Sequence, residues 1–274
     1  MGRPRIYSLN ENYFNIIDSN EKAYILGFIY ADGSVFRNYL TIGLSDKDVE
    51  ILEHIKKCLG YDGIIYKRFD AKKNKSYVIL SVSSKNIVKT LIDLGVINNK
   101  TYLSKEFPTY EKKYEWAFLR GFFDGDGSIY CNFRNNNIKT IEYTVCFSGN
   151  LSVLNQLKKI LYEYNISSSN IRHRRENEES CMLEIRGNNN IEKIYGLMYE
   201  DDGFYLKRKK NKFNDFNNML TTLTKRNLSN KIIDDILEYY NMKIKQSEIA
   251  NILKIPKSSV RTVIQRLRKN GKIV

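Results

Sequence analysis

The chain carries one pattern twice. An apolar run closing on Asp-Gly-Ser occurs at Ala23-Tyr-Ile-Leu-Gly-Phe-Ile-Tyr-Ala-Asp-Gly-Ser34 and again at Trp116-Ala-Phe-Leu-Arg-Gly-Phe-Phe-Asp-Gly-Asp-Gly-Ser128. Gly27 aligns with Gly121, Asp32 with Asp126 and Gly33 with Gly127, each pair 94 positions apart. Such a repeat constrains the fold before anything else does. A glycine inside an apolar helix costs about 1 kcal/mol against alanine, so Gly27 and Gly121 imply close backbone approach, and the other copy is the obvious partner. Gly33 and Gly127 read as left-handed caps that stop each helix. That leaves Asp32 and Asp126 at helix C-termini, where the helix dipole disfavours a carboxylate. Two helices packed at their glycines bring both acids to one spot, and a divalent cation there reverses the penalty. The repeat therefore predicts a paired-carboxylate metal site.

A length of 274 residues allows one large domain or two unequal ones. The net charge of +14 favours a polyanionic partner, nucleic acid ahead of an acidic membrane surface, although a biased basic composition accounts for it as well. Cys58, Cys131, Cys146 and Cys181 are scattered, without the Cys-x-x-Cys spacing of zinc or redox motifs, and read as reduced thiols. The N-terminus lacks a signal-peptide run, and no apolar stretch reaches membrane-span length. A soluble intracellular protein is expected, in the cytoplasm or an organellar matrix, with no membrane partner. Gly2-Arg-Pro-Arg5 is similar to the core of a minor-groove arm, but a frayed terminus explains it equally.

Hydrophobic periodicity predicts a helix over about 22–32, capped by Ser19 or Asn20, then two short strands within 34–45 around Asn38. A helix over 46–59 follows, with Val49, Leu52, Ile55 and Leu59 on one face, then strands at 64–69 and 77–83 and a helix at 85–94. The second copy starts the same order again. Strands are expected at 129–133 and 141–147, a helix at 151–164, strands at 171–175 and 182–186, and a helix at 190–198. Alternation puts Ile129, Cys131 and Phe133 inward and Ser128, Tyr130, Asn132 and Arg134 on the opposite face. Ile141, Tyr143, Val145 and Phe147 likewise point in, with Thr140, Glu142 and Thr144 pointing away. Tyr, Asn, Thr and Arg bond base edges and phosphates, though an ordinary solvated sheet face has a similar make-up.

Charge concentrates at the C-terminus. Residues 207–274 hold 17 Lys and Arg against 5 Asp and Glu. Helices are predicted at 232–240, at 247–253 with Ser247 as cap, and at 258–269 with Val260, Val263, Ile264 and Leu267 inward. With Ile249, the small Ala250, Leu253 and Ile255, this pattern resembles a helix-turn-helix, although Lys254 stands where a small turn residue is usual. The outward set is Lys257, Ser258, Ser259, Arg261, Thr262 and Gln265. A three-helix bundle used for protein contacts is the alternative.

Taken together, the two motifs resemble a single-chain LAGLIDADG homing endonuclease, over roughly residues 20–215. The resemblance implies an α+β fold: a pseudo-twofold pair of αββαββα units with saddle-shaped antiparallel sheets, followed here by a small all-α helix-turn-helix domain. The corresponding division is a leader at 1–20, repeats at 21–110 and 111–215, a linker at 216–228 and the terminal domain at 229–274. It further implies a monomer that cuts both strands of a long duplex DNA site. Mg²⁺, or Mn²⁺ in its place, would be held by Asp32 and Asp126 and the backbone carbonyls of Ala31 and Gly125. Asp124 occupies an earlier acidic position of the motif that is not normally a metal ligand, and Tyr30 stands there in the first copy. Lys100 and Lys209 match basic residues near the scissile phosphates, with Lys207 and Arg208 as neighbours of the latter. Asn38, Tyr66, Arg68, Tyr130, Asn132, Arg134, Arg174 and Arg186 are the matching candidates for DNA contact. The scaffold also serves non-cleaving regulators, which lack the paired acids, and intron RNA maturases, so intron RNA is a second partner the resemblance allows. An intein would need splicing residues at both ends, which Met1 and Val274 do not supply. An HNH nuclease needs clustered histidines, whereas His54 and His173 read as surface or partner residues.

Overall fold

The computed structural model describes residues 6–96, 106–133, 141–175, 180–226, 230–255, 257–269 and 273. Helix α1 (Asn20–Asp32) opens the first repeat, its cap set by Ser19, whose hydroxyl accepts from the Lys22 amide at 3.2 Å. Strands β1 (Gly33–Phe36) and β2 (Tyr39–Ser45) follow without a loop, and Arg37 takes the left-handed φ of 54° in the turn between them. A 3-10 turn at Asp46–Asp48 leads into α2 (Val49–Cys58), then β3 (Ile65–Asp70), β4 (Lys75–Ser83) and α3 (Lys85–Asp93). The second repeat has α4 (Glu115–Asp126), β5 (Gly127–Phe133), β6 (Ile141–Gly149), α5 (Leu151–Glu163), β7 (Arg172–His173), β8 (Cys181–Arg186) and α6 (Asn188–Tyr199). Each repeat builds a four-stranded antiparallel sheet, in the orders β1-β2-β4-β3 and β5-β6-β8-β7. The expected αββαββα pair is therefore the observed fold.

Helices α1 and α4 lie against each other through their glycines. A Cβ built on Gly27 would sit 2.1 Å from the Phe118 carbonyl oxygen, and one on Gly121 would sit 2.0 Å from that of Tyr24. Both contacts are with backbone, so no side-chain rotation could make room. Every residue of α1 from Ala23 to Ala31 is buried, as is α4 from Ala117 to Asp124. A polar contact crosses this interface: the Tyr24 hydroxyl donates to Asp124 Oδ2 at 2.9 Å.

Gly33 and Gly127 differ from the expectation. Neither is left-handed; their φ values are −73° and −93°, in the extended region. The chain passes straight from helix into strand and folds back onto the preceding turn. A Cβ on Gly33 would meet the Ile29 side chain and carbonyl at 2.6 Å, and one on Gly127 would meet Phe123 Cδ2 at 2.2 Å. Glycine is required there for space rather than for its torsion angle. In α2 the buried face is Ile51, Leu52 and Ile55, with Leu59 just beyond, while Val49 is half-buried because the helix begins only at that residue.

The chain divides into two compact units, 1–214 and 215–274. Helix α7 (Lys207–Arg226) runs across that boundary, so the stretch expected as a linker is helical as far as Arg226. The second unit contains α8 (Asn230–Asn241), α9 (Gln246–Ile252) and α10 (Lys257–Lys269) around Ile236, Ile249, Ala250, Val260, Val263, Ile264 and Leu267. Ser247 lies inside the first turn of α9, and Lys245 is the N-cap. Lys254 adopts φ 50° after α9, and the Ile255 amide donates to the Ala250 carbonyl at 3.0 Å. That is the geometry a glycine usually supplies at a helix end, here taken by a lysine. No helix among the described residues is long and apolar enough to cross a membrane.

Candidate active site

The glycine contacts fix where α1 and α4 end, and both end in an exposed aspartate, Asp32 and Asp126. The two helix ends meet. The position a Gly125 Cβ would occupy lies 3.5 Å from Asp32 Oδ2 and 2.3 Å from the Ala31 Cβ, and Gly125 immediately precedes Asp126. Ala31 and Gly125, the residues expected to lend carbonyls, thus lie against each other, each one residue before an exposed aspartate. The end of α1 at Ala31 and Asp32 therefore packs against the end of α4 at Gly125.

The basic run at the start of α7 is distributed over three tasks. Lys207 pairs with Glu50 at 2.6 Å, and Arg208 grips Asp48 through Nε at 2.8 Å and Nη2 at 2.9 Å. Only Lys209 reaches the motif. Its ammonium is buried and donates to the carbonyls of Phe123 at 2.6 Å, Asp124 at 2.7 Å and Gly127 at 2.6 Å, with Gly125 at 3.3 Å. The last turn of a helix presents unpaired carbonyls and a partial negative charge, and Lys209 answers both for α4. Burial pulls its pKa down to about 8, against the opposing attraction of Asp124 and, more weakly, of Asp32 and Asp126. Lys209 was expected beside a phosphate. Its hydrogen bonds go to the backbone that carries Asp126. Lys100 lies outside the described residues.

Asp124 is a structural acid. Besides Tyr24, its Oδ2 accepts from the Leu206 amide at 2.7 Å, and burial raises its pKa to about 6. Leu206 immediately precedes α7, so Asp124 fastens the entry of the helix that bears Lys209.

The outer sheet faces hold most of the expected contact residues. In the first repeat, Ser34 and Thr41, Tyr39 and Phe36, and Tyr66 and Ile79 are cross-strand neighbours on one face, with Arg68 beside Tyr77. Tyr66 and Arg68 are exposed on it, and Asn38 is exposed in the β1–β2 turn. In the second repeat the corresponding face is closed over. Thr144, expected to point away into solvent, is fully buried, and Cys131, expected inward, is exposed near the end of β5. On the face of Thr144 lies Glu184, which pairs with Cys146 across β6–β8 and is only 4% exposed. It accepts from the Tyr130 hydroxyl at 2.7 Å and from Arg186 at 2.9 Å, and it also pairs with Arg172. These three side chains roof the centre of the sheet, and the hydrogen bonds and arginine charges hold the Glu184 carboxyl below its ordinary value despite its burial. Tyr130 and Arg186 were expected there; Glu184 and Arg172 were not. Arg174 is exposed just past β7, whereas Arg134 and the side chain of Asn132 lie outside the described residues.

On α10, Lys257, Arg261, Thr262 and Gln265 are exposed and Ser259 is half-buried; the Ser258 side chain lies outside the described residues.

A family model, the LAGLIDADG-like domain, matches residues 19–95 and 113–198, one segment on each repeat. The chain belongs to the LAGLIDADG-like domain family. Solved LAGLIDADG structures share the fold. The I-LtrWI LAGLIDADG homing endonuclease bound to target DNA aligns with a TM-score of 0.53 at 17% identity, over 80% of this chain and 93% of that one. The I-SmaMI LAGLIDADG homing endonuclease bound to cleaved DNA aligns at 0.54 and 14%, over 75% and 90%. I-SmaMI bound to uncleaved DNA in the presence of calcium ions gives 0.54 at 12%, over 75% and 92%. No curated protein is significantly similar to the chain in sequence.

Proposed function

We propose that this protein is a site-specific homing endonuclease that hydrolyses both strands of a long duplex DNA target. The observation that carries the reading is the meeting of the two helix ends, where Ala31 and Asp32 pack against Gly125 and each helix closes on an exposed aspartate, Asp32 or Asp126. Relatives of the same fold described as bound to target DNA, to cleaved DNA and to DNA with calcium ions support it. Asp32 and Asp126, with the carbonyls of Ala31 and Gly125, would hold divalent metal, Mg²⁺ or Mn²⁺. When bound, the cation lowers the pKa of a water and stabilises charge on the leaving oxygen. Lys209 keeps the carbonyl end of α4 in place and supplies positive charge near both acids.

Base recognition falls to the outer sheet faces. Tyr66 and Arg68 serve the first half-site, and Arg186 and Arg172, held by Glu184, serve the second. An arginine whose fork is oriented in advance loses less freedom on meeting guanine O6 and N7. Glu184→Gln should therefore leave the metal site intact but relax base preference at one or two positions, by about 1–3 kcal/mol of discrimination each. Cleavage rates on a panel of single-base target variants measure this; an unchanged preference profile would show that Glu184 is only a packing residue.

The three-helix terminal unit adds a helix-turn-helix contact outside the central site, through Lys257, Arg261, Thr262 and Gln265. The deciding experiment is cleavage of a randomised duplex library by the full chain, with and without Mg²⁺, followed by mapping of the ends. The expected result is one long site cut in both strands only when metal is present, with Lys257→Ala/Arg261→Ala lowering the salt slope of binding by about 2. Selective binding without any cutting would replace the nuclease with a regulator, and cutting in EDTA would remove the metal from the mechanism.

A further inference from the structure

A second cluster of ligating groups sits at the opposite end of α1 from the paired acids. Glu21 lies in its first turn, and His54 and Cys58 are one helical turn apart on the same face of α2. His54 Nε2 is 3.6 Å from Cys58 Sγ and 3.6 Å from Glu21 Oε1, and the three donor atoms all lie within 4.8 Å of one another. Zinc bound tetrahedrally at about 2.3 Å to sulfur and about 2.0–2.1 Å to nitrogen separates those two donors by roughly 3.6 Å. The observed Nε2–Sγ distance already meets that requirement. The Glu21 side chain, more than half exposed, has the freedom to close the remaining edge.

Two further observations point to a ligand. The imidazole is fixed in its plane by Phe204, stacked on it at 3.9 Å and 6°. The Tyr13 hydroxyl is buried, 6% exposed as a residue, against the Cys58 thiol, the one side-chain partner it meets among the described residues. A thiol is a weak partner for a buried hydroxyl, and a metal or its bound water would satisfy it better.

From this geometry we infer that Glu21, His54 and Cys58 form a zinc site, with its fourth position taken by water or by the Tyr13 hydroxyl. Thiolate, imidazole and carboxylate in tetrahedral reach select Zn²⁺ over the hard cations suited to Asp32 and Asp126. Burial lowers the His54 pKa, which leaves a neutral ring to ligate. Cys58 is held as the thiol by burial and by the charge of Glu21, its pKa raised to about 12, and releases its proton to solvent on binding. Eleven residues of helix separate Glu21 from Asp32, about 16 Å at 1.5 Å per residue, so the two sites are independent. The role is structural: the metal ties the start of α1 to α2, and through the stacked Phe204 to the segment that follows α6.

Cobalt(II) tests this on the metal-stripped full chain. One equivalent should give visible tetrahedral bands and a near-ultraviolet sulfur-to-cobalt charge-transfer band, which Zn²⁺ then displaces. Carboxylates alone cannot produce the charge-transfer band, so occupation of the aspartate site is told apart. Cys58→Ser should abolish it and Cys131→Ser, which alters an exposed thiol, should leave it unchanged. Glu21→Gln should weaken binding by at least the roughly 100-fold that loss of an outer-shell partner costs. Zn²⁺ should raise the melting temperature of wild type but not of Cys58→Ser, with circular dichroism confirming that the variant is folded. No charge-transfer band in wild type, or the same band in Cys58→Ser, overturns the site, whatever the outcome for DNA cleavage.

Discussion

Gly121→Ala should strongly destabilise the first unit, while the same change at Gly196 should make it more stable. The added methyl carbon at Gly121 would sit 2.0 Å from the Tyr24 carbonyl oxygen and 2.8 Å from the Phe28 amide nitrogen, whereas at Gly196 nothing lies within 4 Å. Helix propensity favours alanine at both positions by about 1 kcal/mol. At Gly196, an exposed position in α6, that preference acts alone. At Gly121 the two motif helices would have to separate by more than an ångström along an interface lined by Phe28, Phe118 and Phe122, all buried. Overpacking costs about 1–3 kcal/mol where side chains can yield, and here the obstacle is main chain, so about 4 kcal/mol or more is expected. For a unit of this size that corresponds to a drop of roughly 10–15 °C in melting temperature, against a rise of about 2–4 °C for Gly196→Ala. Gly27→Ala should behave like Gly121→Ala, since its methyl would meet the Phe118 oxygen at 2.1 Å. Thermal melts of the three variants decide the matter. A mild effect at both motif glycines would mean that α1 and α4 are not in backbone contact.

The sequence made the motif helices legible because their constraint is local and duplicated: a glycine among large apolar residues has few explanations, and two such glycines at equal spacing have fewer. The core faces of α2 and α10 followed from periodicity, which burial enforces directly. What periodicity could not show depends on atoms far apart in the chain. Glu184 looks like a solvent-facing strand residue until its place opposite Cys146 on β6 is known, together with the convergence of Tyr130, Arg172 and Arg186 upon it. The helix-stop role of Gly33 and Gly127 was visible, but not its cause. A left-handed torsion and a steric demand leave the same glycine in a sequence, and only the direct passage from helix to strand separates them. Among Lys207, Arg208 and Lys209, charge was legible and destination was not. The first two turn to Glu50 and Asp48 of the other repeat, and the periodicity of α7 alone carries Lys209 beneath the end of α4.

Asp126→Asn and Asp32→Asn should each abolish double-strand cleavage while leaving the protein slightly more stable and its DNA affinity undiminished. A carboxylate at a helix C-terminus faces the negative end of the dipole, a disadvantage of about 0.3–1 kcal/mol that the neutral amide does not share. The same exposed negative charge repels phosphates, so its removal should not weaken binding. Cleavage requires that charge: an amide is a poor ligand for a hard divalent cation, and the loss should reach at least roughly a thousandfold in single-turnover rate with Mg²⁺. Misfolding cannot imitate this combination, because stability and activity move in opposite directions. The two strands provide a finer test. If each acid served one strand alone, either variant would nick the duplex. The position of a Gly125 Cβ lies 3.5 Å from Asp32 Oδ2, and Asp126 is the next residue, so the proposed reading has the two acids share bound metal. Both variants should therefore lose both cuts, with no nicked intermediate on a supercoiled target plasmid. Wild-type rates in both variants would refute the metal site; clean nicking by either would keep the site but divide it into two independent halves.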